Sequence, residues 1–372
     1  VTPADIVDWT FGSAHSFRQP IRRDLFGEPP VTVFEAPRFY IEALFWCSGT
    51  TSIHEHAFSG AFAVLAGSSV HSHWRFLPER TINSRMLCGR LERVSTEILR
   101  IGGVRRIRSG DRLIHQLFHL DLPSVTIVVR TYEERNRQPQ YRYLPPGLAI
   151  DPEDGEGLRT RKLMFLRGMV RGQIDGLREK ALQLVKTADV ETVYYAFATM
   201  NTNKMDGALL AELYAVARTR HGEVVELFRQ VCEGERRTRV ATSLRSKVTD
   251  PEARFFLALL MLMPDREAIF DALQLQSSGA EPLATIDKLL ASMSGKDTIG
   301  FEFDEINRLI FRGLVEGLDE ERLLLRLRTE FRDDAVESHR ERLLGQAKRL
   351  AHLTLFRPLL SRSPLLVEGP VS

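Results

Sequence analysis

The stretch TTSIHEHAFSGAFAVLAG, residues 50–67, decides how the first half of this chain is read. It sets His54 and His56 one residue apart, after small polar residues and before a small, apolar run that closes on Gly67. Successive side chains of a strand point to opposite faces, so a strand here turns both imidazoles to one side and Glu55 to the other. A third nitrogen from a neighbouring strand would complete a set of metal ligands on one face, leaving positions open for substrate and dioxygen. Ordinary strand histidines are the alternative.

Working outward, residues 31–143 carry the signature of short strands. VTVF, RFYIEALFW, GAFAVLAG, SVHSHWRF, TEILRIG, RLIHQLFHL and SVTIVVRTY are rich in β-branched and aromatic residues, and Gly, Ser, Pro or Asn punctuates them at the spacing of an all-β sandwich or barrel. From about 158 the period changes. Leu163, Leu166, Val170, Ile174, Leu177, Ala181 and Leu184 recur every three or four positions, which predicts one helix face. Asp250-Pro251, Pro264-Asp265 and Glu281-Pro282 read as helix starts, a capping side chain beside a first-turn proline or following one. The segment between the halves, YLPPGLAIDPEDGEG, is rich in Pro, Gly and acid. The expected organisation is a β-barrel over 1–145, a linker over 146–157 and a helical domain over 158–372 with no fixed repeat period.

Bulk properties narrow the function. A chain of 372 residues is longer than one core usually grows, so two domains are expected. The net charge of +2 fits neither a nucleic-acid coat nor a sink for acidic ligands. The basic residues are mostly arginine, with no lysine before Lys162, a bias that GC-rich coding accounts for. Cys47, Cys88 and Cys232 fall in no C-x-x-C spacing, and three cysteines cannot all pair, which favours a reducing cytoplasm. The longest apolar run, FFLALLMLM at 255–263, is too short to span a bilayer, and the N-terminal residues lack the pattern of a secretory signal. No nucleic-acid or membrane partner is expected. A protein partner or a second copy could dock through the helical half.

Seven of the ten histidines, His15, His54, His56, His71, His73, His115 and His119, precede residue 150, which places the chemistry in the β half. His71 and His73 share a face by the same parity, as do His115 and His119. Each pair offers a third ligand or a supporting contact. Arg130 sits on an apolar strand, where a lone charge is costly unless paired, and is a candidate substrate contact. The arginines of RIGGVRRIRSGDR, 100–112, are either an anion-binding strip or an exposed strand face.

GTTSIHEHAFSGAFAVLAG, residues 49–67, resembles the first motif of the cupin superfamily through Gly49, His54, His56 and Gly67, and SGDRLIHQLFHL is similar to the second through Gly110 and His115. Within that superfamily, RFYIEALFWCSGTTSIHEH, with Trp46 and Ser52-Ile53-His54, and the Ile114-His115 pair look like the cysteine dioxygenase-like thiol dioxygenases over roughly residues 20–135. The resemblance implies a cupin-type jelly-roll barrel and a mononuclear non-haem Fe(II) held by His54, His56 and His115, with His119, His71 or His73 as alternatives, and it says nothing of the all-α domain that the periodicity predicts after it. Zn, Ni or Mn would suit the same nitrogens. It implies O2-dependent oxidation of a small carboxylate-bearing, amino-acid-like molecule, with Trp46 lining the site and Arg23, in Arg23-Asp24-Leu25, matching the arginine that clamps a substrate carboxylate. The sequence departs from the family where an acidic cupin ligand gives way to Gly60, where no cysteine matches the cross-linked one, and where the family's Ser-His-Tyr strand reads Thr126-Val128-Arg130. Two other expectations stand beside the oxygenase: a ligand-sensing cupin coupled to a helical interaction domain, and a non-redox Zn or Ni isomerase or lyase.

Overall fold

The computed structural model describes residues 1–13, 27–47, 50–132, 139–151, 157–202, 205–276, 281–293 and 301–365. His15, Arg23, Gly49 and residues 152–156 of the expected linker lie outside them. The chain divides into two compact units at Arg236/Arg237.

The first unit opens with α1 (Pro3–Gly12), started by a reciprocal cap in which Thr2 and Asp5 satisfy each other's backbone N–H. Eleven strands follow among the described residues: β1 (Pro30–Glu35), β2 (Phe39–Trp46), β3 (Ile53–His56), β4 (Gly60–Ala66), β5 (Ser69–Asn83), β6 (Met86–Leu99), β7 (Val104–Ile107), β8 (Gly110–His119), β9 (Ser124–Thr131), β10 (Arg142–Leu144) and β11 (Leu148–Ile150). All pairings are antiparallel. One sheet runs β1-β2-β9-β4-β7, and the other closes on itself in the order β10-β11-β6-β5-β8-β3. Leu44, Trp46, Phe62, Val64 and Val128 of the first sheet meet Leu99, Leu113 and Leu117 of the second in a shared interior. This is the β-barrel that the strand pattern predicts, in the jelly-roll form that the resemblance implies, and helices follow it.

Two local expectations change. The segment 146–157 contributes β11, whose Leu148 pairs with Cys88 of β6, so its first residues belong to the barrel. The single helix face expected over 163–184 is broken: α2 (Gly157–Gly172) and α3 (Leu177–Thr187) are separated by Gln173 and Gly176, both at positive φ, and Ile174 is 54% exposed. Left-handed backbone ends a helix because its carbonyls can no longer meet the next turn.

α2, α3, α4 (Val190–Met200), α5 (Gly207–His221) and the first part of α6 (Val224–Arg245) do not stand apart from the β structure. Leu166, Val170, Val193, Phe197 and Phe228 share one core with Met86, Cys88, Leu144, Leu148 and Ile150 of the strands. Glu191 on α4 is tied to the tip of the β5–β6 hairpin through Asn83, 2.9 Å, and to Arg159 of α2, 3.0 Å. The second unit is helical. Asp250 accepts from the Ala253 amide and Glu281 from those of Leu283 and Ala284, as their places before proline predict. Phe303, Phe311 and Phe356 pack edge to face at its centre. No helix among the described residues is long and apolar enough to cross a membrane.

Candidate metal centre

β3 delivers His54 and His56 to one face, as its period of two requires, while Glu55 points outward and accepts from the Tyr141 amide and the Tyr143 hydroxyl, 2.7 Å. The residue between the two histidines therefore anchors β10 from the other side of the sheet. Register then selects the third imidazole: His54 lies directly opposite His115 on β8, and His115 opposite His73 on β5. The rings of His54, His56 and His115 form a nearly equilateral triangle with centroids 4.7, 4.9 and 4.9 Å apart. One nitrogen from each lies within 4.8 Å of the others.

Burial keeps the His54 and His115 rings neutral. It holds His54 down at about 4 against the pull of the Ser52 carbonyl, and pushes His115 well below the ordinary imidazole value, with the neighbouring histidines adding to the effect. Neutral imidazole is the form that binds a metal.

The tautomers follow from the partners. Ser52 O can only accept, so Nδ1 of His54 donates to it at 2.7 Å and Nε2 keeps its lone pair. Glu97, drawn down to about 2 chiefly by Arg105 and also by His71, is a carboxylate and accepts from His71 Nδ1 at 3.0 Å. His71 Nε2 must then accept, so His115 donates its Nδ1 proton across 2.9 Å, which leaves a lone pair on His115 Nε2. That atom faces His56 Nε2 at 2.8 Å. His56 Nε2 can donate a proton to that lone pair, and a divalent cation would take the place of this proton between the two nitrogens. The donor set therefore fits a divalent cation.

A second group, His71, His73 and Glu97, also has ligand atoms within 4.8 Å of one another. Its carboxylate is already gripped by Arg105 through Nε, 2.8 Å, and through Nη2, and its His71 is committed to His115. His73 Nε2 is buried without a hydrogen-bond partner among the described residues. Here His71 and Glu97 orient His115.

The remaining expected residues are placed as follows. His119 stands apart from the triangle: its Nδ1 meets Ser69 Oγ at 2.8 Å and its ring stacks on Trp46 at 4.5 Å. Trp46 donates to Thr126 across the β2–β9 pair at 3.0 Å. Arg130 reaches Glu42 at 3.4 Å and lies 3.7 Å over the Phe58 ring, so its charge is met by the protein. Phe62, on the opposing sheet, faces His71 and His115 at 5.8 and 5.7 Å. Sequence reasoning placed Glu55 on the opposite face without a role, and passed over Glu97 and Phe62. The nearness of Glu97 to His71 comes from the β5–β6 register, which the sequence alone does not give.

Fold and site together define a jelly-roll barrel with a histidine-lined interior. The chain is similar to a cupin-2 domain protein from Shewanella frigidimarina, at 15% identity over 31% of this chain and 85% of that one, TM-score 0.19. It is likewise similar to hydroquinone 1,2-dioxygenase from Sphingomonas sp. TTNP3, at 12% identity over 33% and 86%, TM-score 0.23. The capsular polysaccharide assembling protein CapF of Staphylococcus aureus matches at 19% identity over 34% of this chain and only 33% of its own, TM-score 0.25. No protein-family model matches the sequence, and no curated protein matches it.

Proposed function

We propose that the barrel is a cupin-type, metal-dependent oxygenase in which His54, His56 and His115 hold one Fe(II). The observation that carries this reading is the convergence of three buried imidazoles, two of them with facing nitrogens 2.8 Å apart. Three neutral nitrogen donors leave the charge of the ion uncompensated and leave coordination positions for a chelating substrate and O2. Iron so held would supply the redox chemistry. The protein's own part is to fix the ring orientations, exclude water with Phe62 and Phe58, and bind a small anionic substrate at the barrel end. The ligand spacing supports kinship with the cysteine dioxygenase-like enzymes. Thr126, Val128 and Arg130 differ in kind from that family's outer residues, however, and we take ordinary cysteine not to be the substrate.

The test is metal analysis of anaerobically purified protein, with O2 uptake in its presence. His54→Ala, His56→Ala and His115→Ala should each lose most bound metal while the barrel stays folded, and His119→Ala should keep it. Full metal content in His115→Ala would overturn the centre. Turnover of a substrate under strict anaerobiosis would replace the oxygenase with a non-redox reaction.

A further inference from the structure

Where the barrel's first sheet meets the start of β8, a recess of about 440 Å³ is lined by Ser59, Arg106, Arg108, Ser109, Arg112 and Thr131. It lies beside the histidines in the backbone register. Gly110, flanked by Ser109 and the segment leading to Arg112, is the strand partner of His56, and Ser59 follows His56 by three residues. Gly60 pairs with Ile107, which brings the two walls together.

The charge here is unbalanced. Four other strand arginines are answered by carboxylates, Arg75 by Glu92, Arg90 by Glu79, Arg105 by Glu97 and Arg130 by Glu42. Arg106, Arg108 and Arg112 are exposed, and among the described residues none of the three has a carboxylate partner. The single acidic residue between Glu97 and Asp121 is Asp111. Its field is felt by Tyr143, whose hydroxyl is bonded to Glu55 on the outward side of β3. Three like charges around one concavity repel one another, and an anion seated among them removes that cost. Guanidinium forks suit oxyanions, which they grip with paired N–H groups.

We propose that this recess is a binding site for a small, multiply charged oxyanion, a polycarboxylate or a phosphate ester, held by Arg106, Arg108 and Arg112. Binding of the anion stands without the metal centre. That the anion is the charged end of the substrate rests on the oxygenase reading. The site takes over the role that the sequence offered to Arg130, whose guanidinium is engaged by Glu42 and Phe58.

Calorimetric titration of the full, metal-stripped chain at low ionic strength with citrate, pyrophosphate and acetate tests this. Citrate or pyrophosphate should bind below millimolar and acetate at least tenfold more weakly, and the stronger of the first two identifies the source of the charge. The triple variant Arg106→Ser/Arg108→Ser/Arg112→Ser should lose at least tenfold in affinity, and each single Arg→Gln change about threefold. A control that removes the same charge from α2, Arg161→Ser/Lys162→Ser/Arg167→Ser, should stay within twofold. Equal losses in recess and control variants, or no binding of any probe, would overturn the site. So would a single-stranded oligonucleotide that binds through the three arginines while the small anions do not. Metal content unchanged in the recess variant keeps this outcome separate from that of the histidine centre.

Discussion

Glu97 decides which nitrogen of His115 would face a bound cation, although one imidazole stands between them. Because a carboxylate only accepts, the proton positions propagate along Glu97, His71 and His115 and end in a lone pair on His115 Nε2. His71→Phe removes the acceptor for the Nδ1 proton of His115 and should weaken metal affinity by roughly 10–100-fold, the usual scale for losing a partner that orients a ligand. His71→Gln, which restores an acceptor, should recover much of it. Competition with a chelator reads both, and unchanged affinity in His71→Phe would show that packing alone orients His115. At this scale the sequence was half legible. A period of two puts His54 and His56 on one face wherever the strand lies, but His115 and His119 share parity, and only the pairing of His54 with His115 separates them. The answer to Arg130 was hidden for the same reason, since Glu42 lies 88 residues away on β2.

At the scale of elements, the strands were legible from β-branched and aromatic runs, and the helix starts at Asp250 and Glu281 from their capping chemistry. β10 and β11 were not, because Pro and Gly dominate their segment and local composition there speaks for a linker. The glycine is in fact a packing requirement. A Cβ on Gly147 would stand 1.8 Å from the carbonyl oxygen of Gly89, where the β10–β11 turn crosses β6 and the two backbones exchange a bond of 2.9 Å. Gly147→Ala should therefore destabilise the first unit by about 1–3 kcal/mol, the scale of forcing an extra methyl into a filled space. Gly168 lies inside α2 with nothing within 4 Å of the same added atom, so Gly168→Ala should stabilise by roughly 0.5–1 kcal/mol through helix propensity. Urea midpoints of the two variants should move in opposite directions, and a neutral Gly147→Ala would return the segment to the status of a spacer.

Across the whole molecule, the change of period near 158 marks the start of α2, yet it does not reveal that α2–α6 share a core with β6, β10 and β11. Apolar faces say that a helix is buried, and only tertiary structure says against what. The buried imidazoles of the barrel have a consequence for the entire first unit. His54 and His71 are held at about 4 in the folded chain, mainly by burial, against about 6.5 when unfolded. Between those values the unfolded chain binds more protons, so the stability of the metal-free protein is fully present above about pH 6.5 and falls as pH drops toward 4. Each such group contributes a slope of about 1.4 kcal/mol per pH unit within that window. The Glu97 carboxylate, lowered to about 2, acts in a separate range: its contribution is present above about 4.5 and is lost below it. All three tryptophans, Trp9, Trp46 and Trp74, belong to the first unit, so fluorescence-detected urea unfolding follows the barrel without interference from the second. Midpoints of the metal-stripped protein should be level from pH 8 to 7 and decline steadily from 6.5 to 4.5. His71→Gln, with one fewer imidazole to charge, should decline less steeply. A wild-type midpoint that stays level down to pH 5 would mean that the histidines take up protons in the folded barrel as readily as in the open chain, and the dry, neutral imidazole cluster on which the metal centre depends would not exist.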